Sequence, residues 1–86
     1  MATQAPNSLK AKALADLEAG KFPQALKKAT LGTKKFPKDA DFHAIAGFVL
    51  TEMKQYKKSI PHFQEASRLK PDDPQLIAAV EKALQR

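Results

Sequence analysis

The sequence predicts an all-α chain, an α-solenoid of two helical hairpins closed by a fifth helix. Three observations predict it. Ala, Lys and Leu are plentiful while the 86 residues hold only three glycines and one tyrosine, a mix that favours helix over sheet. Apolar residues recur at spacings of three and four in successive segments. The chain also repeats itself: Pro37 and Pro71 are 34 residues apart, as are Phe22 and Tyr56, Ala25 and Ser59, and Gly32 and Ala66. A fixed period of this length, with the helix breaks in register, signals stacked hairpins, each covering an apolar face that its neighbour cannot bury alone.

Residues 1–6 read as a flexible arm. Asn7 or Ser8 can cap a first helix carrying Leu9, Ala13, Leu14 and Leu17, and Gly20 stands where a helix stops. Phe22-Pro23 opens the second, because an amide of the first turn has no partner to lose. It carries Ala25, Leu26, Ala29 and Leu31, with Phe36 near its end, and Pro37 stops it. Asp39 or Asp41 can begin the third helix, "FHAIAGFVLTEM". Its first three turns hold almost no polar face, so it belongs at the centre. Gly47 in its middle is expected where another helix backbone approaches closely. The fourth helix runs from about Gln55 to Lys70 with Tyr56, Ile60, Phe63, Ala66 and Leu69 as its stripe, and Pro61 should bend it mildly. In "KPDDP", Asp73 serves as an N-cap and Pro74 as the first residue of a fifth helix presenting Leu76, Ile77, Val80, Ala83 and Leu84. Two hairpins and one helix are near the minimum for a stable stack, so this last helix should be essential.

The composition limits function. With 43% apolar and 28% charged residues the chain suits one globular domain. The absence of cysteine excludes a disulfide scaffold, thiol chemistry and Cys-ligated zinc, and is compatible with a cytoplasmic location. No apolar run can cross a bilayer, so no membrane is expected, and the N-terminus lacks the pattern of a secretory signal. His43 and His62 lie on different helices without an evident acidic partner, and no nucleophile–base pair, metal-ligand set or phosphate loop is apparent. No enzyme activity, cofactor or metal is therefore expected. The net charge of +6 comes from fifteen basic residues, thirteen of them lysine. Lysine pairs at 27–28, 34–35 and 57–58, with Lys38 and Lys54, could form a basic surface for nucleic acid or an acidic ligand. Aromatics at core spacing and the scarcity of arginine disfavour nucleic acid.

The residues at period 34 resemble the tetratricopeptide repeat (TPR) family, whose unit is a 34-residue helical hairpin. Residues 40–73 match best: Gly47 at the small residue of the first helix, Leu50 at the large one, Tyr56 at the junction aromatic, and Phe63, Ala66 and Pro71 in the second helix. His43 stands where an aromatic is common, and Ser59 where alanine is usual. In the first unit, about 6–39, Ala13, Phe22, Ala25 and Pro37 fit, but Ala29 replaces the aromatic that Phe63 supplies later. Residues 74–86 would cap the stack. The resemblance implies a protein-interaction module with a concave groove for a partner peptide or helix. By register the groove is lined by Lys10, Leu14, Leu17 and Glu18, then by Asp41, Ala44, Ile45, Phe48, Thr51 and Glu52, with Ala78 and Lys82 from the fifth helix. Ile45 fits equally well as a buried core residue. One subfamily clamps the C-terminal carboxylate of chaperones. Of those clamp positions only Lys10 is basic, and Leu14, Ile45, Gln75 and Ala79 fill the others, so that partner class is rejected. A piece of a longer repeat array or of an enzyme-attached module fits the same pattern, and two partly apolar ends permit self-association.

Overall fold

A computed structural model describes residues 6–84, with side chains from Ser8 apart from that of residue 83. Residues 1–5 of the arm expected at 1–6, and the last two residues of the expected cap, lie outside the described residues, while Pro6, the last residue of that arm, already belongs to α1. Five α-helices follow one another: α1 (Pro6–Glu18), α2 (Phe22–Lys35), α3 (Ala40–Glu52), α4 (Tyr56–Leu69) and α5 (Pro74–Leu84). Among the described residues no other regular secondary structure occurs. The first helix begins earlier than expected, so Asn7 and Ser8 sit inside it rather than capping it.

Each helix packs on the next in sequence, and α3 also touches α1 and α5. Among the described residues α2 makes no close approach to α4, nor α1 to α5. The helix junctions repeat at 34 residues. Gly20 and Lys54 both have positive φ (79° and 63°). The amide of Lys21 donates to Asp16 O, and that of Gln55 to Leu50 O, each at 2.8 Å, so both first helices end in the same left-handed turn. The C-caps match as well: Phe36 (φ −130°, ψ 67°) donates to Gly32 O, and Lys70 (φ −133°, ψ 75°) to Ala66 O. Asp39 caps α3 by accepting from the Asp41 amide, and Asp73 accepts from the Gln75 amide in the same way.

The core has two parts that meet in α3, eight of whose thirteen residues are buried. Ala13, Ala25, Ala29, Ile45, Ala46 and Val49 pack together, flanked by Leu17, Phe22, Leu26 and Met53. Ala40, Ala44, Ala66 and Leu76 form the other part with Leu69. Leu76 thus packs from α5 against residues of α3 and α4. Two expectations change. The space beside Gly47 is filled by the Phe63 ring, not by a neighbouring backbone: a Cβ there would stand 2.7 Å from Phe63 Cε1. Leu14, Leu31, Ile77 and Leu84, read as stripe residues, are exposed. The two unusual residues are accommodated. Ser59 is fully buried with its hydroxyl donating to Tyr56 O at 2.6 Å. The His43 ring lies 6.2 Å from that of His62, and its Nε2 is 3.3 Å from Pro37 O.

Candidate functional site

Along the α1–α3 side of the molecule run two depressions that share Phe48. One, of about 280 Å³, is lined by Lys10 and Leu14 of α1, by Asp41, Ala44, Ile45 and Phe48 of α3, and by Asp73, Gln75 and Leu76 where α5 begins. The other, of about 390 Å³, is lined by Leu17, Glu18, Gly20, Phe22, Phe48 and Glu52. The helical period explains the set. Asp41, Ile45, Phe48 and Glu52 are spaced by three and four residues, so they follow one stripe of α3, as Lys10, Leu14 and Leu17 do on α1.

Nine of the twelve sequence-predicted positions meet here: Lys10, Leu14, Leu17, Glu18, Asp41, Ala44, Ile45, Phe48 and Glu52. Three do not line it. Thr51 turns its hydroxyl back to Gly47 O at 2.9 Å, satisfying itself on its own helix. Ala78 and Lys82 are exposed elsewhere on α5, because that helix reaches the groove through Asp73, Gln75 and Leu76 at its start. Gln75 was legible in the sequence, since it stands one period after Asp41. Gly20 belongs to the turn between α1 and α2 and Phe22 opens α2, a junction that register alone does not orient.

The apolar floor is graded. Ile45 is only 4% exposed and belongs to the core, so it shapes the groove without offering much surface. Leu14 and Phe48 are 40% and 36% exposed and supply the accessible apolar area. Phe48 is held edge-on against Phe63, with centroids 5.1 Å apart and planes at 74°, a favoured aromatic geometry that fixes its ring.

The charges differ between the two ends. Lys10 Nζ lies 2.8 Å from Asp41 and 3.1 Å from Asp39, and Lys70 Nζ lies 3.0 Å from the other oxygen of Asp41. Lys10 also stands 5.6 Å above the Phe42 ring. Burial lowers the Lys10 pKa, but the hydrogen bonds to Asp41 and Asp39 outweigh it and hold the ammonium above its ordinary value. The hydrogen bond from Lys10, opposed by burial and aided by Lys70, holds Asp41 below the usual carboxylate range. This end is therefore neutralised internally and its side chains are pinned. At the other end Glu18 and Glu52, one period apart, are exposed and have no such partner among the described residues.

Among the described residues no group of three or more His, Cys, Asp or Glu could hold a metal ion, and no helix is long and apolar enough to cross a membrane. In comparisons with known proteins, no protein-family model and no curated protein matched the chain.

Proposed function

We propose that this protein is a TPR-like interaction module, an α-solenoid that docks a short partner peptide or helix in the groove along α1 and α3. The observation that carries this reading is the pair of adjoining depressions meeting at an exposed, ring-locked Phe48. A rigid aromatic anchor beside Leu14, rimmed by charge, suits an amphipathic segment, with affinity from the apolar centre and orientation from the rim. The exposed carboxylates of Glu18 and Glu52 favour a basic residue at that end of the partner. The repeated junction geometry and the 34-residue period support the solenoid reading, and the function is recognition without covalent chemistry.

Selection of peptides from a displayed library, followed by affinity measurement on Phe48→Glu and Leu14→Glu, tests the proposal. Both side chains are substantially exposed, so the variants should retain helical circular dichroism. A selected peptide should bind each at least about tenfold more weakly than the wild type, a loss of about 1.4 kcal/mol. Peptides whose affinity is unchanged in both folded variants would place recognition elsewhere.

A further inference from the structure

The outer face of α2 carries a separate depression of about 550 Å³, away from the groove. Leu26, Leu31 and Met53 give it an apolar lining, and Leu31 is 40% exposed. Lys27 and Lys34 line it too, and among the described residues no carboxylate does. The two lysines are seven residues apart, close to two full turns, so they lie on one side of α2 about 10 Å apart along its axis. Leu31 is one turn from each. Lys54 in the turn after Met53, with Lys57 and Lys58 at the start of α4, borders a separate depression, and all three are exposed.

The same register one period later shows that this is not a general property of the fold. Leu31 corresponds to Glu65 and Lys34 to Arg68. Those two residues form an ion pair with each other, so α4 offers a self-neutralised polar face where α2 offers an apolar one whose Lys27 and Lys34 have no ion-pair partner among the described residues. Lys28, by contrast, is consumed by Asp16 of α1, which leaves Lys27 and Lys34 to define the charge of the depression.

From these observations we infer that the α2 face is a second docking surface, specific for an acidic segment with apolar side chains between its carboxylates. Charge complementarity selects the partner's sign, and the recessed apolar lining selects a chain with side chains to insert. In an extended segment, which advances about 3.3 Å per residue, carboxylates about three positions apart span the two lysines. A flat anionic membrane would leave the recess unfilled, and nucleic acid would find no exposed aromatic or arginine lining it.

The test is fluorescence anisotropy of the whole chain with a labelled peptide in which aspartates bracket Leu and Phe. A control peptide of equal charge has Ser in place of Leu and Phe. The Lys27→Glu/Lys34→Glu double variant should bind the first peptide at least about tenfold more weakly, and Leu31→Ser about threefold more weakly. The control peptide should bind more weakly than the first to the wild type, and affinity should fall as salt rises. All substituted side chains are exposed or at the surface, and circular dichroism verifies the fold of each variant. Phe48→Glu should bind the peptide as the wild type does, which separates this surface from the groove. The inference would be overturned by no saturable binding to the wild type at millimolar peptide, by equal binding of the control peptide, or by affinity unchanged in the double variant. Leu31-dependent sedimentation with phosphatidylserine vesicles, without peptide binding, would overturn it in favour of a lipid surface.

Discussion

In the first hairpin, Ala13 of α1 and Ala29 of α2 share one buried cluster. One period later the same two positions hold Gly47 and Phe63, and the ring occupies the space that a Cβ on residue 47 would need. A second pair behaves alike across the boundary between hairpins. Gly32 lies so close to the Phe42 ring that an added Cβ would overlap it, whereas one period on, Ala66 meets Leu76 in the other cluster. A third difference is electrostatic. The positions of Asp16 and Lys28, an ion pair in the first hairpin, hold Leu50 and His62 in the second. The backbone junctions repeat closely while the side chains between them do not. The lesson is that the packing unit is the pair: a large ring in one helix requires a missing Cβ in the next, because interiors are too dense to absorb either change alone.

The largest test of this pairing is Phe63→Ala. Phe63 is 1% exposed, so the substitution should destabilise the chain by about 3–5 kcal/mol in urea denaturation. Gly47→Ala alone should cost about 1–3 kcal/mol through overlap with the ring. In the Phe63→Ala background the same change recreates the alanine pair of the first hairpin and should stabilise by about 1 kcal/mol, from helix propensity. Effects that add to within about 0.5 kcal/mol would break the comparison.

The boundary pair should give a smaller version. Gly32→Ala should destabilise by about 1–3 kcal/mol, and Phe42→Leu, which copies the Leu76 arrangement, should remove most of that penalty. A cost independent of residue 42 would show that the ring is not what excludes the Cβ.

Smaller again is the turn. Lys54 adopts the left-handed conformation that Gly20 adopts one period earlier. Lys54→Gly should therefore stabilise by up to about 1 kcal/mol, and Gly20→Ala should destabilise by about the same amount, both read as shifts in the denaturation midpoint. Equal midpoints for Lys54→Gly and wild type would mean that the lysine makes compensating contacts there.

The smallest effect concerns pH. Burial, and then the nearby charge of His43, hold His62 below its ordinary value of about 6.5. As acid is added the unfolded chain takes up this proton first. Stability is therefore full above about pH 6.5 and declines as pH falls through the window below it. His62→Gln should flatten that part of the curve, while a second decline, below the ordinary carboxylate pKa of about 3.8, should persist because Asp41 is held ionised by its hydrogen bond to Lys10. An undiminished first decline in His62→Gln would assign it to another group.

Helix order and the hairpin period were legible in the sequence because they rest on local chemistry. Proline after each second helix, aspartate at residues 39 and 73, and apolar residues at three and four spacing act within a turn or two of where they stand. The central place of α3 was legible for a similar reason: a helix apolar on almost every side has no stable place at a surface. Nine of the twelve positions singled out in the sequence line the two depressions, because a repeat carries one residue's environment to the residue 34 later. Tertiary packing alone decided the rest. It put the Phe63 ring, not a backbone, against Gly47. It left Leu14 and Leu31 exposed although they share stripes with buried residues, turned Thr51 back onto its own helix, and tied up Lys10 and Lys28 while leaving Lys27 and Lys34 without an ion-pair partner among the described residues. Those outcomes depend on which side chain of a distant helix arrives first at a given space or charge, and no local periodicity encodes that.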